Sequence, residues 1–498
     1  MPATIHMAVV RCVFLCVATA GLICGCKEED KPSAIEGRVS VTNGSAAGVK
    51  VELYNAPAYE NTTAWSTTAA HPMVGFPYSL QAVFDWRTAT AVDSLTISGD
   101  GAFSFPDVAD GSYVVVARKP HYGWSVPVLV ESRGQSVQTG TLALFPEDSI
   151  PNPTYMAQDT RWTSGRHYVV DQLLVIEPGV TLTIEPGAVV RFENLGYMIV
   201  SGGLIAEGTP SAHIHFTSNA AVNPQAFDWG YVTVSEGAEP PVIRYCTFTY
   251  CEVGVHSIGG GGMVENSYFA RIGSQAVNMS GVGAGVGDSV IVRRNVIDHI
   301  PVGVHIGQIH GTGMAIEHNA IVNCSSYGVE VDSVNGGQIY CNWFFNCGRS
   351  DTLPGPATGV TSLSFMWNVD IHRNHFQSSW YALSLGSRVD SSVHIYGNYF
   401  YLVNRVMNVG VTPDRSGVSH PRFYGNTIER CVGYNIFMHS CTVNYLSINA
   451  PENYWGSDSE SFIISRFNDC NRDRTCPCIW YLPFLTSPST NNVGICEG

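Results

Sequence analysis

Tyr340, His372, Tyr396 and Tyr424 each stand two residues before an asparagine, and Asp370, His394 and Arg422 each stand four before one. Rings and charged groups that return at one frame suit carbohydrate binding. Aromatic faces can lie on the C–H faces of sugars while polar tips grip hydroxyls. The bland alternative is a solvated strand face, where Tyr and His are ordinary residents. Cleavage chemistry asks for more. A lyase needs a base such as Lys or Arg and commonly calcium held by carboxylates, and a glycoside hydrolase needs two carboxylates. Asp351, Asp370, Asp390 and Asp414, with Arg373 and Arg388 near them, are too dispersed to read as a ligand pair, so no catalytic residue is assigned. His213 and His215 flank Ile214 and face one way, but two histidines without a third ligand do not make a metal site. No metal or other cofactor is expected.

These residues ride on a repeat that spans residues 242–455. It is clearest in Ile371-His372-Arg373-Asn374-His375-Phe376, Ile395-Tyr396-Gly397-Asn398-Tyr399-Phe400 and Phe423-Tyr424-Gly425-Asn426-Thr427-Ile428. Asn266, Asn295, Asn319 and Asn342 fit the same frame, with Cys246 in the asparagine place one repeat earlier, at spacings of 20 to 32 residues. A Gly-Val phrase follows several of these positions and places a second polar row at His256, Asn278, His305, Glu330, Thr361 and Ser384. Repetition at this period marks a solenoid whose units must stack to bury their apolar faces. Alternation over two residues, Val/Ile/Tyr/Phe-rich runs and Gly/Asn/Ser punctuation make it a β-solenoid. In-register coils then pair about 4.8 Å apart. The third and fifth residues before each asparagine are apolar and point inward, so the second and fourth point outward.

This stretch resembles the right-handed parallel β-helix family, over about two-thirds of the chain. The resemblance implies that the recurring asparagine sits at an inward bend, its amides hydrogen-bonded along the axis. A buried amide needs such partners, and an identical neighbour supplies them. Leu182-Thr183-Ile184-Glu185-Pro186-Gly187 and Ile205-Ala206-Glu207-Gly208-Thr209 look like the opening coils of exported β-helix proteins. Asn453-Tyr454-Trp455-Gly456, a turn through Phe462 and Tyr481-Leu482-Pro483-Phe484-Leu485 look like the closing cap. Caps are needed because end coils otherwise expose unpaired sheet edges.

Upstream, residues 34–146 form a separate all-β module. Gly48-Val49-Lys50-Val51-Glu52-Leu53 alternates as a strand, and Asp100-Gly101 is a hairpin signal. The block resembles the carboxypeptidase-regulatory-like (transthyretin-type) β-sandwich, which implies an accessory role. Residues 55–87 form an insertion with Tyr59, Trp65, Phe76, Tyr78 and Trp86, suited to touching a ligand or to packing on the next domain.

The first 25 residues read as an export segment: Arg11, an apolar run from Cys12 to Ile23, then Gly25-Cys26. Gly25-Cys26 resembles a bacterial lipobox, which implies acylation of Cys26 after cleavage and a tether over residues 26–33. Removing 25 residues takes away one Arg and no acid, so the charge of −15 becomes −16. So acidic a chain is not built to bind nucleic acid through bulk charge. Of 15 cysteines, four belong to the export segment, and the 11 left cannot all pair. Cys470, Cys476, Cys478 and Cys496 are placed to staple the cap, and Cys324 and Cys347 fall on consecutive coils, open to either a disulfide or a stack of thiols.

The expected fold is therefore all-β: a small β-sandwich, then a right-handed parallel β-helix over 154–486 with caps at both ends. The first functional expectation is an exported lipoprotein of the bacterial cell envelope, lipid-anchored at an outer membrane or cell surface. It would bind a polysaccharide partner along the outer face of the β-helix. A polysaccharide lyase, a glycoside hydrolase and a passive scaffold or adhesin are the alternatives, because this fold hosts all of them.

Overall fold

The computed structural model describes residues 33–498 except 260, 282–288, 311–312, 348–357, 363–364, 387, 411–420, 440–447, 475, 477, 490–495 and 497–498. Cys26, Asp351 and Asp414 thus lie outside the described residues. Three parallel sheets run the length of a solenoid. Sheet 1 has 13 strands, from Thr154–Met156 to Phe467–Asn468. Sheet 2 has 12, and its main path runs from Thr160–Trp162 to Arg422–Tyr424. Sheet 3 has 12, from Asp148–Ile150 to Thr427–Glu429. Asp148–Ile150 pairs with His167–Val170, so the first rung of sheet 3 begins ahead of the solenoid start expected at 154.

The asparagines form an axial chain inside the solenoid. The side-chain amides of Asn295, Asn319, Asn342, Asn374, Asn398 and Asn426 each donate to the carbonyl of the next one, ending at Asn453, over 2.9–3.1 Å. Each also donates back to a main-chain carbonyl one coil earlier, such as Val292 O from Asn319 at 2.8 Å. Asn266 is not in this chain. Ser267 holds its place: its main-chain N–H donates to Asn295 at 3.0 Å, and its hydroxyl accepts from Cys246 N at 3.1 Å. The frame shifts by one residue there because a serine hydroxyl serves the same bend, which leaves Asn266 at positive φ beside it. Two residues beyond the chain, Phe216, Phe248 and Phe269 stack, as do Phe344, Phe376 and Phe400, at 4.6–5.1 Å between ring centres. The Gly-Val phrase has glycine because of these rings. A Cβ on Gly328 or Gly359 would lie 2.7 Å from Phe344 or Phe376.

In the amino-terminal module a three-stranded sheet faces a five-stranded one. Val39, Phe105 and Leu142 from the first meet Val51, Val115 and Val130 from the second in one core. The insertion crosses to the solenoid and covers the outer face of sheet 3. Phe76, Tyr78 and Ala82 pack against Tyr268, Val296 and Ala320. Gly75 lies close against the sheet, its N–H donating to His318 O at 2.6 Å and Val296 only 3.0 Å from where a Cβ would be. Of the two roles open to these aromatics, packing on the next domain is therefore met.

Cys470 pairs with Cys478 within the cap, and Cys496 reaches back to Cys341, tying the tail to a central coil. Cys476 is also disulfide-bonded. Cys324 and Cys347 are free and buried, and the Cys347 thiol donates to Ile321 O at 3.4 Å. Stacked strands hold their Cβ atoms parallel, which favours packing over a bond. Alkylation after unfolding without reductant should therefore modify both Cys324 and Cys347; a 324–347 crosslink in a non-reduced digest would contradict this.

His213 is buried under the insertion and stacked on Phe76 at 5.4 Å. Burial, then the nearby His215, depresses its pKa to about 3. The unfolded chain binds that proton near pH 6.5, so His213 contributes stability above this value that is lost progressively as pH falls toward 3. Between pH 7 and pH 5 the cost is about 2 kcal/mol. The thermal midpoint should drop over that interval, and less so in His213→Phe; an equal drop in both would assign the loss elsewhere.

Candidate functional site: an outward ladder on sheet 2

The register of sheet 2 puts one residue of each coil directly above the last. Glu207, Arg244, Glu265, Arg293, Glu317, Tyr340, His372, Tyr396 and Tyr424 form one continuous outward row. Its first half is ionic. Arg244 bridges Glu207 at 3.0 Å and Glu265 at 2.9 Å, and Arg293 bridges Glu265 at 3.0 Å and Glu317 at 4.0 Å. Like charges one coil apart would repel, so alternation is what the spacing demands. Its second half is aromatic. Successive ring centres from Tyr340 to Tyr424 lie 5.1, 4.8 and 5.3 Å apart, with planes within 8° of parallel.

This stacking alters the expected chemistry. The four rings do lie in a row, half-buried and outward, but their faces are turned to one another along the axis. What they offer a ligand is a rim of edges and tyrosine hydroxyls. His372 is closed in so tightly that both ring nitrogens are buried without partners, and burial lowers its pKa. Two residues back, Asp370, His394 and Arg422 also fall in register. His394 Nδ1 donates to Asp370 Oδ1 at 3.1 Å, while Arg422 is exposed. All seven expected ligand-binding residues thus share one face.

Neighbours that the repeat frame did not single out extend this face. Asn368 adopts φ 52° and kinks the strand Phe365–His372, as Gly336 at φ 98° does one coil earlier, so Phe365 and Trp367 point outward with Asp370 and His372. Their rings stack at 4.8 Å, and the Arg388 guanidinium lies 4.3 Å from the Phe365 ring centre. The kink broke the alternation that would have revealed them. Likewise Glu207, Arg244 and Glu265 escaped because Cys246 and Ser267 stand where asparagine marks later coils; Phe248 and Phe269 were the available signal. Asp390 turns to the hydroxyl of Ser392. The second polar row, His256 to Ser384, does align on sheet 1, with His305 Nδ1 2.7 Å from Glu330. His213 and His215 lie on sheet 3, under the insertion.

With this geometry in view, residues 231–400 match the family described as a right handed beta helix region, which accords with the solenoid and its handedness. No curated protein and no solved structure matches the chain.

Proposed function

We propose that this protein is a lipid-anchored bacterial surface protein that binds a polysaccharide along the later coils of sheet 2. The observation that carries the reading is the alignment of Tyr340, His372, Tyr396 and Tyr424 beside Asp370, His394 and Arg422, one rung per coil. An extended polymer lying along the axis meets the same kind of group at every step, so each sugar can take a hydroxyl contact from a ring edge and another from the polar row. Trp367 adds apolar surface at the side. Binding without cleavage is the better fit because the acids on this face are already engaged: Asp370 by His394 and Asp390 by Ser392. Glycoside hydrolysis needs two carboxyl groups facing across one bond. The matched β-helix family is compatible with polysaccharide-related surface proteins, and the sandwich serves as an accessory module between tether and solenoid.

Cys26→Ser should move the protein from the membrane to the soluble fraction; unchanged fractionation, with no lipid mass on the mature terminus, would refute the anchor. On a glycan array followed by titration of the best polysaccharide, Tyr396→Ala should weaken binding by about fivefold or more, the scale of one aromatic contact. The thermal midpoint should stay close to that of the parent. Unaltered affinity, or turnover of the bound polymer, would overturn the binding reading.

A further inference from the structure

The insertion does not seal completely against the solenoid. Between it, the sandwich and the outer face of sheet 3 lies a cavity of about 760 Å³, walled by Tyr59, Trp86 and Trp124 and floored by His215 and Tyr268. That volume falls within the usual range for small-molecule sites, roughly 300–1,000 Å³. The cavity lies on sheet 3, whereas the ring ladder lies on sheet 2.

The polar groups of the lining fall into two sets. One is spent on holding the domains together. Arg87 gives Nε and Nη2 to Asp85, Nη2 also to the Thr217 hydroxyl at 2.8 Å, and Nη1 to Ser218 O and Ala220 O. Asp85 further accepts from Tyr250 at 3.0 Å, and Arg271 donates to Tyr250 at 2.7 Å. The other set is unspent. His215 and Tyr268 have no hydrogen-bond partner among the described residues, although both sit deep beneath the insertion. Their nitrogens and hydroxyl are absent from the polar atoms sealed off from solvent, so they face the open space. Burial keeps His215 neutral, its pKa lowered to about 4, so its ring has one N–H to give and one lone pair to accept with. The phenol of Tyr268 stays protonated and does the same.

Three ligand classes can be weighed against this lining. A purely aliphatic ligand would strip water from His215 and Tyr268 without replacing their bonds, which weakens binding. An anion would find Arg87 saturated by Asp85 and its main-chain acceptors. A neutral molecule with apolar faces, and hydroxyls that both donate and accept, satisfies walls and floor together. We propose that the cavity binds a short neutral saccharide, its hydroxyls on His215 and Tyr268 and its C–H faces on the apolar wall around Val83 and Val128. This site stands whether or not a polymer binds sheet 2.

The test titrates the full mature protein with neutral monosaccharides and β-linked disaccharides of glucose, galactose, mannose and N-acetylglucosamine, followed by calorimetry and saturation-transfer NMR. Tyr268→Phe keeps the packed ring and removes only the hydroxyl, so affinity should fall about fivefold with the thermal midpoint retained. His215→Leu should lower it at least as far, and Tyr396→Ala should leave it unchanged. The proposal is overturned if no neutral saccharide binds saturably, or if affinity ignores both Tyr268→Phe and His215→Leu. It is equally overturned if Tyr396→Ala abolishes the binding, since the sugar would then sit on sheet 2.

Discussion

Everything in this molecule depends on the fixed rise from one coil to the next. Parallel strands hydrogen-bond about 4.8 Å apart, so any residue type that returns at one frame becomes an axial stack. Inside, that rise lets one asparagine amide reach the next, and a buried polar group that would otherwise destabilise the core ties three coils together. The same rise suits the flat faces of phenylalanine at 4.6–5.1 Å. Outside, it enforces alternating charge from Glu207 to Glu317 and permits ring-on-ring contact from Tyr340 to Tyr424.

The ring ladder shows how an interaction that stabilises can also constrain function. Once Tyr340, His372, Tyr396 and Tyr424 stack on each other, their faces are covered, and under the proposed polysaccharide reading contact passes to hydroxyls and to the neighbouring polar row. The solenoid thereby presents a rigid, repeating edge instead of separate aromatic platforms. Rigidity of this kind lowers the entropy lost when an extended ligand is bound.

The insertion gives the three sheets different fates. It covers sheet 3 from the His213 coil to Trp343, where His71 stacks at 4.3 Å. Its attachment combines apolar burial with the Asp85–Arg87 pair, whose charges are satisfied by the solenoid's own carbonyls and hydroxyls. A buried ion pair with every donor engaged orients a domain more than it stabilises it. The result is an amino-terminal module fastened to the solenoid, with a cavity at the joint.

The repeat, the strand period and the inward asparagine were legible from the chain alone, because a solenoid writes its three-dimensional neighbours into the sequence at a near-constant interval. The seven residues of the outward face followed from the same count. The count slipped where the chemistry changed: Ser267 replaced an asparagine, and the kink at Asn368 hid Phe365 and Trp367. Three further facts only the tertiary structure decided. Rings in a row turned their faces to one another, because the distance between coils is set by hydrogen bonds and not by ring preference. Cys324 and Cys347 fell on consecutive coils but remained thiols, because stacked coils hold side chains parallel. The aromatic insertion met sheet 3 and left His215 and Tyr268 facing a void, because contacts between residues 130 or more positions apart carry no periodic signal.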